Sequence, residues 1–183
     1  MKPKISALRA IISLLVVATL GLAAYGQKAP IDLARQLLRD ENWVAEMARD
    51  NGWSISEVVR MLQSQRTDLN GDRVPDYILT GIACGNVNCP VFVYRTEGRR
   101  YVRVPLETEA TGVPSVERST SKGYRNIGLH IHGGAEGFSR IIFKYSGSKY
   151  RPAECYRYSN GYVDSRGSFQ PYKKPRIVER GCG

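Results

Sequence analysis

Residues 66–83, Arg66-Thr-Asp-Leu-Asn-Gly-Asp-Arg-Val-Pro-Asp-Tyr-Ile-Leu-Thr-Gly-Ile-Ala83, are where the chain changes its hydrophobic period. Upstream, Ile55, Val58, Val59 and Leu62 recur at the offsets of one helical face. Ser54-Ile-Ser-Glu57 in front of them reads as a capping box. Leu33, Ala34, Leu37 and Leu38, then Val44, Met47 and Ala48, carry the same period further back, and Asn51-Gly52 marks a break. Residues 31–66 are therefore expected to be helical. Downstream the pattern alternates, predicting strands over 77–83, 91–95, 101–106, 113–118, 127–132, 139–145 and 149–155. Short strands at this spacing predict an α+β, mainly β domain. Its core would be an antiparallel sheet or partly closed barrel, with the N-terminal helices packed on one end or face.

The chain has 183 residues with 42% hydrophobic content, which suits one globular domain and excludes a disordered or fibrous chain. Lys2, Lys4 and Arg9 precede an uncharged run from Ala10 to Tyr25, and small residues at Ala24 and Gly26 precede Gln27. This reads as a secretory signal peptide over 1–26, shorter than the roughly 20 apolar residues that span a bilayer; an uncleaved anchor would be the only membrane contact. The exported domain would be 27–183, periplasmic or secreted, with Gln27–Pro30 as a loose leader. Removing the leader takes away three basic residues and no acid, leaving 24 basic against 17 acidic residues. A net +7 outside the cytoplasm favours an anionic glycan or envelope polymer, or a protein, as partner. The helix pair 44–50 and 54–63 is read as core helices and not as a DNA reader, because export removes the chain from cytoplasmic DNA.

Cys84, Cys89, Cys155 and Cys182 are an even set bound for an oxidising space. Of three connectivities, Cys84–Cys89 and Cys155–Cys182 are favoured. The first closes a tight loop, and the second pins the Gly/Pro/Arg-rich tail 156–183, which has little apolar content of its own.

The sharpest chemical signal is Asp68-Leu-Asn70-Gly-Asp72-Arg-Val74-Pro-Asp76. Oxygen side chains at relative positions 1, 3, 5 and 9 suit a hard cation taking six to eight oxygens, and calcium fits best. The stretch resembles the Asp-x-Asn-Gly-Asp-Gly-x-x-Asp loops of FG-GAP/VCBS-type repeats and, more distantly, dockerin and EF-hand loops. That resemblance, limited to residues 68–76, implies Asp68, Asn70, Asp72 and Asp76 as side-chain ligands and Val74 as a carbonyl ligand. Arg73 stands where the pattern has Gly, and position 12 is Leu79 and not a carboxylate, so a static clip is expected and not a sensor.

Two further features bear on function. His130 and His132 alternate with Leu129 and Ile131, so a strand would place both imidazoles on one surface, within reach of a shared transition metal and of Glu136. The C-terminal third interleaves aromatic and basic residues, among them Tyr150, Arg151, Tyr156, Arg157, Tyr158, Lys173, Lys174 and Arg176. Tyrosine rings stack on sugars while cations neutralise carboxylate or phosphate. The leading reading is a non-catalytic exported binding or accessory protein stabilised by calcium and disulfides. The alternatives are a metallohydrolase using the His-x-His pair and an inhibitor of a cell-wall-degrading enzyme.

Overall fold

A computed structural model of the protein describes residues 25–85, 88–107, 111–134, 137–163, 165 and 168–182. The expected leader lies outside them as far as residue 24; its last two residues open the first strand. In chain order the elements are β1 (Tyr25–Lys28), α1 (Ile31–Asp40), α2 (Asn42–Asp50), α3 (Ile55–Met61), β2 (Gln63–Thr67), β3 (Asp76–Thr80), β4 (Phe92–Glu97), β5 (Arg100–Val104), β6 (Val113–Ser121), β7 (Tyr124–His132), β8 (Gly137–Tyr145), β9 (Tyr150–Val163) and β10 (Phe169–Arg180). They build two five-stranded antiparallel meanders, β1 to β5 and β6 to β10, one of them a half-barrel. No helix among the described residues is long and apolar enough to cross a membrane.

Alternation within the first sheet divides the core in two. On β3 and β4, Leu79, Phe92 and Tyr94 join Leu33, Leu37, Val44 and Val58 of the three helices in one buried cluster. Their neighbours Ile78 and Val93, with Val91 and Val104, join Ile127, Leu129, Phe143 and Tyr150 of the second sheet in another. The first sheet is thus the middle layer, covered on both faces, which is why Val91-Phe-Val-Tyr94 is a continuous apolar run. The second sheet has one face in the core and one open. At the helical end, the Ser54 hydroxyl accepts from Glu57 N–H and the Glu57 carboxylate accepts from Ser54 N–H, forming the expected capping box. Arg103 on β5 donates to Glu41 at 2.8 Å and lies 5.2 Å from the Phe92 ring, tying the α1–α2 junction to the sheet.

Three expectations change. The helical region ends at Met61, and Gln63–Thr67 is a strand between β1 and β3, with Ser64 small enough to be buried there. Gln27 and Lys28 are not a loose leader, because they pair with Ser64 and Gln63 and Ala29 is buried behind them. The tail beyond Cys155 is held by strand pairing as well as by the expected disulfide. β9 runs on to Val163, and β10 returns along it as the sheet edge. Both favoured disulfides, Cys84–Cys89 and Cys155–Cys182, are present.

Candidate binding face and acidic loop

The register of the second sheet assembles its open face row by row. Val113, His130, Arg140, Tyr156 and Arg180 are successive cross-strand partners over five strands. Beside them run His132, Phe138, Tyr158 and Ile177 over four. Strand alternation puts both rows on the side away from Ile127, Leu129 and Phe143. The Phe138 and Tyr158 rings stack at 4.5 Å with 10° between planes, and His130 lies 6.0 Å from Phe138. A groove of about 400 Å³ follows the face between Glu117, Arg140, Tyr156, Tyr158, Ile177 and Arg180.

Glu117 on β6 reaches over β7 to Arg140 at 2.9 Å, and Gly128 is what lets it pass. A Cβ at Gly128 would stand 2.4 Å from the Glu117 carboxylate and 2.6 Å from the Ser115 hydroxyl. On the next strands Lys144 pairs with Glu154 at 2.8 Å, and the Tyr156 hydroxyl donates to the same carboxylate at 2.9 Å. The two acids of the groove are thus each neutralised by a neighbouring cation. Both disulfides brace this face from its ends. Cys155–Cys182 holds β10 against β9 next to the Tyr156–Arg180 pair. In the Cys84–Cys89 loop, Asn88 donates to the His132 carbonyl at 3.0 Å and accepts from its N–H at 2.9 Å, docking the loop on the end of β7.

The aromatic and basic residues singled out in the sequence divide among several places. Tyr156 and Tyr158 lie on the open face. Arg157, between them, turns to the opposite side and pairs with Glu179 at 3.0 Å. Tyr150 leaves the binding face altogether: it is fully buried among the inter-sheet residues, and its hydroxyl donates to the Arg125 carbonyl. Arg151 is exposed and pairs with Glu107 at 3.5 Å. Lys173 and Lys174 stand in a bulge of the edge strand, where pairing jumps from Pro171–Gly161 to Arg176–Ser159; the Arg176 guanidinium lies 4.3 Å from the Tyr172 ring centroid. Phe138, Arg140, Glu117 and Arg180 were not picked out by sequence reasoning. Alternation within β8 marks Phe138 and Arg140 as same-face residues, but only the register sets them beside His130 and Tyr156.

Comparison with family models, curated proteins and solved structures found no match.

His130 and His132 share the open face. Among the described residues no group of three or more His, Cys, Asp or Glu side chains forms a metal-holding cluster; Glu136 lies outside them. Burial, then the charge of Arg140, holds His130 below the ordinary histidine value, with Glu117 pulling the other way and His132 adding to the depression. The folded chain therefore takes up this proton less readily than the unfolded one. The stability involved is present above the unfolded value of about 6.5 and is lost as pH falls through the lowered folded value. His130→Gln is expected to melt with a smaller drop in midpoint between pH 7.5 and pH 5 than the parent. Parallel curves for the two proteins would show that His130 is not the group responsible.

The acidic loop joins β2 to β3 and folds around its own side chains. Asp68 accepts from Gly71 and Arg73 N–H at 2.7 and 2.9 Å, Asn70 from Asp72 N–H at 3.1 Å, and Asp72 from Val74 N–H at 2.7 Å. Arg73 adopts φ 67°, the left-handed backbone that the Gly of the resembling loops supplies at this position. Leu69 is buried between the sheets, its carbonyl accepting from Arg125 N–H at 2.7 Å. Asp76, fully buried, accepts from Leu69 N–H at 3.0 Å and from Thr96 N–H at 2.9 Å. Burial pushes its carboxyl above the ordinary value against those two hydrogen bonds, and Asp72 and Asp68 add to the rise. The donor set is all oxygen, as a hard cation requires. Each side-chain oxygen named here accepts one N–H and has a second acceptor position.

Proposed function

We propose that this chain is an exported, non-catalytic binding protein that lays the open face of its second sheet against an anionic envelope glycan, with calcium held at residues 68–76 as a structural clip. The observation that carries the reading is the pair of rows across β7 to β10. Stacked Phe138 and Tyr158 offer a flat aromatic platform, and His130, Arg140 and Arg180 line a polar strip beside it. Sugar rings pack on aromatic faces, and guanidinium groups take carboxylates. The net positive charge of the exported part draws such a polymer in, and export agrees with two disulfides. In the loop, Asp68, Asn70, Asp72 and Asp76 with the Val74 carbonyl would hold the ion. Bound there, it offsets the repulsion among three carboxylates and fixes the turn from which β3 starts.

Retention on an anionic glycan resin is the direct test. Binding is expected to weaken as salt rises and to fall in Tyr158→Ala, whose fold is checked by its melting curve. Retention that ignores both salt and Tyr158 would refute the face. Calcium is tested separately by melting with calcium and then with chelator. Saturation at about 100 times the dissociation constant adds about 2.7 kcal/mol, so identical midpoints would remove the ion from the account.

A further inference from the structure

We infer that the groove reads an anionic glycan carrying one carboxylate per disaccharide, with Arg140 and Arg180 as the two reading residues on either side of Tyr156. The inference rests on the glycan reading above and sharpens it. Arg140, Tyr156 and Arg180 are direct cross-strand partners on β8, β9 and β10. Neighbouring strands lie about 4.8 Å apart, so the two arginines are set about 10 Å apart at the backbone. That interval is close to the length of one disaccharide of an extended glycan and is twice the step of a single sugar. A polymer crossing the strands meets a cation, then the Tyr156 ring, then a second cation.

The neighbouring charges leave both cations available to a ligand. Glu117 takes one N–H of Arg140 at 2.9 Å, and a guanidinium has five. Glu154 is held by Lys144 and the Tyr156 hydroxyl. Glu179, next to Arg180 in sequence, is turned to the other face and pairs with Arg157. The Cys155–Cys182 bridge keeps the edge strand, and with it Arg180, in register with Tyr156. A ligand with a carboxylate on every sugar would set its middle carboxylate over Tyr156, beside the Glu154 carboxylate that its hydroxyl contacts. The face therefore favours alternating charge over dense charge.

The test compares calorimetric binding of two oligosaccharides of equal length, an alternating hexuronate–hexosamine and a homo-oligouronate, at low salt. The alternating ligand is expected to bind about tenfold more tightly, because its middle sugar brings no carboxylate beside Glu154. Glu154→Gln, which removes the repelling carboxylate, is expected to erase that preference, and Arg180→Gln, at an exposed edge position, to weaken binding of both ligands while keeping the parent melting midpoint. Equal affinity of the parent for both ligands, or an Arg180→Gln variant that binds both as the parent does, overturns the spacing and leaves the glycan reading standing. Binding of neither ligand overturns both.

Discussion

Asp76→Ala is expected to unfold at much lower urea than the parent, with a loss of about 2–6 kcal/mol. The figure comes from a buried amide, Leu69 N–H, and a part-buried one, Thr96 N–H, that lose their acceptor, at about 1–3 kcal/mol each. Against a typical domain stability of about 5–15 kcal/mol, that is a large fraction. The carboxylate bridges three pieces of chain: the start of the acidic loop, the first residue of β3 and the end of β4. Removing it frees Leu69 to leave the inter-sheet core as well. Asp76→Asn keeps one acceptor oxygen and should lose less. A loss under about 1 kcal/mol for the alanine variant would mean that water replaces the carboxylate and that the bridge is dispensable. Repeating the pair of variants with calcium and with chelator separates the two roles of Asp76, since the hydrogen-bond loss persists without the ion and a ligand loss does not.

The second large effect concerns the edge of the sheet that carries the binding rows. Cys155 and Cys182 are 27 residues apart and Cys84 and Cys89 only 5. In the chain-entropy account, cross-linking the longer loop is worth about 3.5 kcal/mol and the shorter about 2 kcal/mol. Cys155→Ala/Cys182→Ala is therefore expected to be the more destabilised double variant by about 1.5 kcal/mol in urea melts. It should also lose glycan retention under conditions where it stays folded, because Arg180 is then no longer held beside Tyr156. A bridge variant that melts lower yet binds unchanged would show that strand pairing alone maintains the register.

How much of this was legible in the sequence depends on the range of the interaction that decides each feature. The capping box Ser54–Glu57 is local, and residue types three apart carry it. β2 was hidden because Gln63-Ser-Gln-Arg-Thr67 has no apolar member and follows Leu62, which completes a helical period. Its strand state comes from pairing on both sides, with β1 and β3. β10 was hidden because Pro171 and Pro175 and the run of basic residues oppose a strand reading; an edge position tolerates both. The candidate face shows the same limit. The His-x-His pattern puts both imidazoles on one side of their strand, whereas Tyr156-Arg157-Tyr158, read as one face, is split by alternation that turns Arg157 to the other side. That they belong to one surface, with Arg140 as the common neighbour of His130 and Tyr156, depends on partners 10 and 16 residues away across two strand boundaries.

Layer order also separates two kinds of constraint. The first sheet is hemmed in above and below, so nearly every residue of β3 and β4 answers to packing. In the second sheet the core-facing residues do, and on the other face Asn126, Gly128 and Ile142 are buried as well. The positions left outside the core can change without a cost in core contacts, and the aligned positions 130, 140, 156 and 180 form a strip that can be recoded for a new carbohydrate while the scaffold beneath is left untouched.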